Sequence, residues 1–200
     1  MKRKEVILAT RNEGKLKEFQ RLFQLVNIDL FSLKGFAELP EIVEDGLTFE
    51  ENALKKALTV ATFTQRIAIA DDSGLMVDYL GGEPGVISAR YAGTNASDEE
   101  NNRKLLDKLK GAPDHLRNAR FTCVLAIATP EGKKEVVIGE CSGIITHEPK
   151  GQYGFGYDPI FFYPEYGKTF AEIEPEIKDR VCHRRKAVEK LLLILPHYIG

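Results

Sequence analysis

Val6-Ile7-Leu8-Ala9 form an apolar run that stops abruptly at the polar stretch Thr10-Arg11-Asn12-Glu13-Gly14. Leu16, Phe19, Leu22, Phe23 and Val26 then recur at helical spacing. A buried strand that turns at once into an amphipathic helix is the opening unit of α/β folds. It commits the chain to a sheet with helices packed against it.

The remaining pattern extends that unit. Thr48 with Glu51 has the spacing of a capping box, and Ala53, Ala57, Val60 and Ala61 can line one helical face. Ile67 to Ala70 reads as a short strand ending at Asp71-Asp72-Ser73-Gly74. Gly81 to Gly85 is loop, and Ser97 with Glu100 opens a helix carrying Leu105, Leu106 and Leu109. Arg120 to Thr129 and Glu135 to Thr146, separated by Pro130-Glu131-Gly132, predict an antiparallel hairpin. Tyr153 to Pro159 reads as loop, and Val188, Leu191, Leu192 and Leu195 mark a last amphipathic helix. The order implies an α/β fold with a mixed sheet flanked by helices.

Charge and cysteine usage narrow the function classes. With 28 Lys plus Arg against 30 Asp plus Glu, any anion site must be a local cluster, which argues against a nucleic-acid-binding surface. Cys123, Cys141 and Cys182 are odd in number and widely spaced, which fits a reduced, cytoplasmic protein and no zinc motif. Met1-Lys2-Arg3-Lys4-Glu5 precedes an apolar run too short for a signal-peptide core, and no stretch is long enough to span a membrane.

Four clusters can carry chemistry. Thr10-Arg11-Asn12-Glu13-Gly14-Lys15 joins strand to helix, where free backbone N–H groups, the helix dipole and Lys15 suit a phosphate; the plainer reading is a capped helix with an exposed lysine. Glu41, Glu44, Asp45, Asp71 and Asp72 form an acidic set suited to Mg²⁺, which takes one or two carboxylates and keeps its waters. If the strand runs on, alternation sends Asp71 and Asp72 to opposite faces; if it stops, Asp-Ser-Gly is an ordinary turn. Gly154-Phe155-Gly156-Tyr157-Asp158-Pro159 offers two aromatics for base stacking and a carboxylate for base N–H groups, or else a tight turn with its rings in the core. Lys178, Arg180, His183, Arg184, Arg185 and Lys186 gather where the last helix starts, the wrong end for cations, a conflict that a bound anion would resolve. A polyanion, a base platform and a divalent metal together describe a nucleoside triphosphate.

These segments, with Phe49-Glu50-Glu51-Asn52-Ala53, Pro84 to Gly93 and His183-Arg184, resemble the Ham1-like inosine triphosphate pyrophosphatase family nearly from end to end. The resemblance implies a single two-lobed domain over residues 1–200 with a central cleft, a homodimer, and Mg²⁺-dependent cleavage of ITP, dITP and XTP to monophosphate and pyrophosphate. Residues 10–15 match the triphosphate loop. Asp72 matches the general base and a metal ligand, with Glu44, or Glu41 close by, as the second ligand. Ser73, Phe155, Gly156, Tyr157, Asp158, Lys178, His183 and Arg184 match substrate and base contacts. Two positions depart from the family pattern: Arg11 stands where glycine is usual, and Cys182 where serine usually precedes His-Arg. Cysteine is the poorer hydrogen-bond partner and helix cap. The competing functions are a house-cleaning pyrophosphatase for modified pyrimidine nucleotides and a nucleotide-binding module without catalysis.

Overall fold

In the computed structural model residues 5–24, 28–33, 36 and 38–199 are described. Residues 1–4 and Val26, both read above from the sequence, lie outside them. Among the described residues one seven-stranded sheet has the order β2-β1-β3-β4-β5-β6-β7. Its strands are β1 (Glu5–Leu8), β2 (Asp29–Ser32), β3 (Ala68–Val77), β4 (Asn118–Ala128), β5 (Lys134–Ile145), β6 (Phe161–Tyr163) and β7 (Lys168–Thr169). β1 is parallel to both β2 and β3, whereas β5–β6 and β6–β7 are antiparallel. A turn closed by Thr129 N–H on the Lys133 carbonyl joins β4 to β5, a link too short for a parallel crossover. The sheet is therefore mixed, as expected.

The helices are α1 (Glu13–Gln24), α2 (Phe49–Thr64), α3 (Asp98–Lys108), α4 (Pro175–Lys178), α5 (His183–Ile194) and α6 (Pro196–Ile199). Asn12 starts α1, its Oδ1 accepting the Lys15 N–H at 3.0 Å. Thr48 starts α2, its hydroxyl accepting the Glu51 N–H at 3.1 Å. The Glu51 carboxylate accepts from Leu47 N–H at 2.7 Å, one residue upstream of the position a capping box requires. Ser97 and Glu100 do form the reciprocal box at α3.

β3 is longer than expected. It does not end at Asp71-Asp72 but runs on to Val77, because Leu75 and Val77 resume the buried alternation and Leu75 N–H donates to the Ser88 hydroxyl at 3.0 Å. The Asp-Ser-Gly turn is thereby excluded.

The chain divides into two compact units. Unit 1 comprises Met1–Asp72, Cys123–Gly139 and Arg184–Gly200, and unit 2 comprises Ser73–Thr122 and Glu140–His183. Unit 1 has its own core, in which Val6, Leu8, Phe19, Ile69, Leu125 and Leu191 are buried together. Unit 2 has another, with Leu75, Leu105, Phe121, Ile160, Phe161 and Phe170. No helix among the described residues is long and apolar enough to cross a membrane.

Candidate active site

Unit 1 gathers its charged side chains around the middle of β3. Asp71 and Asp72, successive residues of a continuous strand, reach different helices. Asp71 Oδ2 lies 2.9 Å from Lys15 Nζ, so a lysine in the first turn of α1 closes onto the strand. Asp72 meets α2 instead: Oδ2 accepts from Asn52 Nδ2 at 3.2 Å, and Oδ1 lies 3.3 Å from Lys56 Nζ. Glu44 Oε1 lies 3.2 Å from the same ammonium. Glu44 is thus the member of the acidic set that meets Asp72 at a shared cation, whereas Glu41 is exposed and Asp45 pairs outward with Lys55 at 2.6 Å.

Electrostatics separates the two aspartates. Burial alone would push the Asp71 carboxyl up, but Lys15, Arg184 and Lys56 overcome it and hold the pKa down at about 2. Burial also pushes Asp72 up. There Lys56 and Lys15 pull against it, Glu44 and Asp71 push with it, and the net direction is upward. Lys56 is buried too, which disfavours its charge, yet Asp72, Asp71 and Glu44 together raise its pKa. The lysine therefore stays protonated.

The turn at residues 10–12 and the first two residues of α1 are open to solvent. Arg11, Asn12 and Glu13 are exposed, Thr10 and Gly14 half-buried, and the Thr10 hydroxyl accepts the Asn12 N–H at 3.2 Å. Arg11 reaches back to the Leu39 carbonyl at 3.5 Å. Arg184, matched above to the base contacts, makes a buried pair with Glu18 at 2.8 Å and adds its charge to the field on Asp71. The charge conflict at the start of α5 is thus met, for Arg184, by a carboxylate of the protein itself.

In unit 2 the Gly154–Asp158 loop is held from several sides. Asp158 is buried, and its Oδ2 accepts from Phe155 N–H at 3.0 Å and from Lys178 Nζ at 2.6 Å. A Cβ on Gly154, which sits at φ +77, would collide with that same oxygen. From α3, Asp98 accepts the Gly156 N–H and Asn102 Nδ2 donates to the Gly156 carbonyl at 3.0 Å. Phe155 stays half-buried, with Lys178 Nζ 5.4 Å from its ring centre. Tyr157 does not join it as a second platform: its ring is buried in the core and its hydroxyl donates to the Ser88 carbonyl at 2.8 Å. Asp158, expected to accept base N–H groups, spends Oδ2 on its own loop and on Lys178. His183 is buried and stacks on Phe121, ring centres 4.8 Å apart and 13° from parallel. Ser73 lies half-buried in β3.

Two members of the unit 1 cluster, Asn52 and Lys56, were not among the candidates drawn from the sequence. Both belong to the buried stripe of α2 that includes Ala53, Ala57, Val60 and Ala61. A polar residue recurring on an apolar stripe is the signal that marks them.

The Glu44–Asp72 pair has the donor chemistry of a magnesium site. Two carboxylate oxygens converge on one cation, and Mg²⁺ takes one or two carboxylates, completing its shell with water and phosphate.

The Ham1 family model matches residues 6–194. A dITP/XTP pyrophosphatase of Desulforamulus reducens is 50% identical over 191 residues, 96% of this chain and 95% of that protein. One from Geobacter sulfurreducens is 50% identical over 195 residues, 98% and 96% of the two chains. Among solved structures, the Staphylococcus aureus Ham1 protein matches with a TM-score of 0.86 at 41% identity, covering 97% of this chain and 99% of that one.

Proposed function

The chain belongs to the Ham1 family, and from that premise we propose that it hydrolyses non-canonical purine nucleoside triphosphates, dITP, ITP and XTP, to monophosphate and pyrophosphate. The role is removal of deaminated purines from the nucleotide pool, in the cytoplasm and as a homodimer; three buried cysteines, none of them in a disulfide, suit a reducing compartment. The observation that carries the chemistry is Asp72, a buried carboxylate with raised pKa, held by Asn52 and Lys56 beside Glu44.

In this reading Asp72 takes the proton of a water whose oxygen attacks the α-phosphorus. The bond from the α-phosphorus to the bridging oxygen breaks, and pyrophosphate leaves with that oxygen. An ordinary carboxylate, with a pKa of about 4, is a weak base at neutral pH; most of the rate therefore comes from positioning and charge neutralisation. Lys15 and the N–H groups at the start of α1 bind phosphate oxygens, and Lys56 keeps a positive charge against the acidic cluster. Glu44 and Asp72 would hold Mg²⁺, which supplies charge neutralisation for the departing pyrophosphate.

Base choice falls to unit 2. Phe155 offers a ring for stacking, and Lys178 is a buried cation fixed by Asp158. A cation favours the 6-oxo acceptor of hypoxanthine and xanthine over the 6-amino group of adenine, a discrimination that polar sites make by orders of magnitude. The test incubates the protein with XTP, dITP, GTP, ATP and a modified pyrimidine triphosphate, with and without Mg²⁺, reading pyrophosphate against orthophosphate. Mg²⁺-dependent pyrophosphate from XTP and dITP, lost in Asp72→Asn with substrate binding retained, is expected. Equal turnover of ATP and XTP would remove Lys178 from its role, and near-normal turnover by Asp72→Asn would remove Asp72 from its own.

A further inference from the structure

Asn52 lies in the second turn of α2, 1% exposed, and spends both ends of its amide on different segments of unit 1. Its Oδ1 accepts the Gly46 N–H at 2.8 Å, while Nδ2 donates to Asp72 Oδ2 at 3.2 Å. Gly46 is two residues beyond Glu44, so the backbone that carries one carboxylate is fastened to the residue that orients the other. Lys56, four residues further along α2 on the same face, meets both carboxylates from the opposite side of Asp72's head group.

Gly46 is required here for space. A Cβ at this position would stand 2.6 Å from Asn52 Oδ1 and 2.9 Å from Glu51 Cβ. Its backbone does not occupy the left-handed region that favours glycine. The close approach to the Asn52 amide, and behind it to Glu51 Cβ, demands the missing side chain. The segment is tied to α2 once more by Leu47 N–H on the Glu51 carboxylate. Groups that hydrogen-bond to metal ligands orient them, and their loss commonly costs about 10- to 100-fold in metal affinity or activity.

We propose that Asn52 is a positioning residue that yokes Glu44 to Asp72 as one divalent-cation site, acting through the Gly46 N–H on one side and Asp72 Oδ2 on the other. The amide holds Asp72 with Oδ1 turned toward the cation position it shares with Glu44, and keeps the Glu44 segment from drifting away. The inference rests on the assignment of Glu44 and Asp72 as the metal-holding pair.

A double-mutant cycle tests it, using Asn52→Ala, Gly46→Ala and the double variant of the full chain. Mn²⁺ affinity is read from the paramagnetic signal of the free ion, beside kcat and KM for XTP and the melting temperature in EDTA. Each single variant should bind Mn²⁺ about 10- to 100-fold more weakly and lose kcat comparably, with KM for XTP at saturating metal nearly unchanged. The double variant should lose less than the sum of the two single losses, because both changes break the shared Asn52–Gly46 contact. Asn52→Asp, which keeps an acceptor for Gly46 but no donor for Asp72, should fall with Asn52→Ala. Folded single variants with wild-type Mn²⁺ affinity, or losses that add in the double variant, overturn the yoke. Should Asn52→Ala fail to fold, Gly46→Ala decides by its Mn²⁺ affinity. Wild-type protein that binds Mn²⁺ but releases no pyrophosphate from XTP overturns the proposed activity, and the cycle is then read on Mn²⁺ affinity alone.

Discussion

Asp71 and Asp72 are chemically identical neighbours whose pKa values move in opposite directions, and the difference comes from which helix each one meets. Lys15 and Arg184 act with Lys56 to hold Asp71 at about 2. Its folded pKa lies below the ordinary 3.8, so the stabilisation is complete above that value and is lost as pH falls toward about 2. The linked free energy is roughly 2 kcal/mol. Metal-free wild-type protein should lose that increment across this window in denaturant titrations, and Asp71→Asn should show a shallower acid dependence; equal slopes would contradict the ion pairing. Lys56 carries the opposite burden, as the cation on which Glu44 and Asp72 converge. Lys56→Met leaves both carboxylates facing each other and should cost about 3 kcal/mol in EDTA, as broken buried pairs do. Mg²⁺ should return part of it by binding only the folded state. A Lys56→Met protein that melts like wild type in EDTA would show that the ammonium does not hold the cluster.

At the level of elements, the Gly154–Asp158 loop shows how one carboxylate can set both a backbone turn and a buried cation. Asp158 grips Phe155 N–H and Lys178 together, so Gly154→Ala, with its Cβ driven into Asp158 and its φ in the left-handed region, should release both. The expected outcome is a KM for XTP raised about tenfold or more, with weaker preference over ATP and a smaller change in kcat; unchanged base preference would detach this loop from base recognition. How far such devices can be read from sequence depends on their range. The α1 and α3 starts, the α2 stripe and the hairpin were legible because periodicity and capping are local. The extension of β3 was hidden, since Ser73-Gly74 reads as a turn until Ser88, thirteen residues later, supplies a partner for Leu75 N–H. Tyr157 and Phe155 look equivalent as letters, and only the tertiary core assigns one ring to Ser88 and Ile160 and leaves the other half-buried. Asn52 and Lys56 escaped notice because an apolar stripe directs attention to its alanines.

For the molecule as a whole, the chain crosses between the two units inside β3, β4 and β5 and again at the start of α5, so neither unit is a contiguous piece. The consequence is sharpest for residues 73–183, which contain all of unit 2 together with the 123–139 hairpin tip. Within that tip Cys123, Leu125 and Ile127 belong to the unit 1 core, buried with Val6, Leu8, Phe19, Ile69 and Val188. A fragment of residues 73–183 keeps the unit 2 core but strips those three side chains of their partners. Each fully buried aliphatic side chain is worth about 1.5–3 kcal/mol relative to exposure, a large share of the 5–15 kcal/mol that separates a typical folded protein from its unfolded state. The exposed strand tip is also apolar and rich in β-formers, the composition that associates edge to edge. The fragment should therefore bind a hydrophobic dye, melt without a cooperative transition and sediment as an aggregate, whereas the full chain shows a sharp melt. A soluble, monomeric 73–183 fragment with a cooperative transition would mean that unit 2 folds without the core residues supplied by β1, α1 and α5.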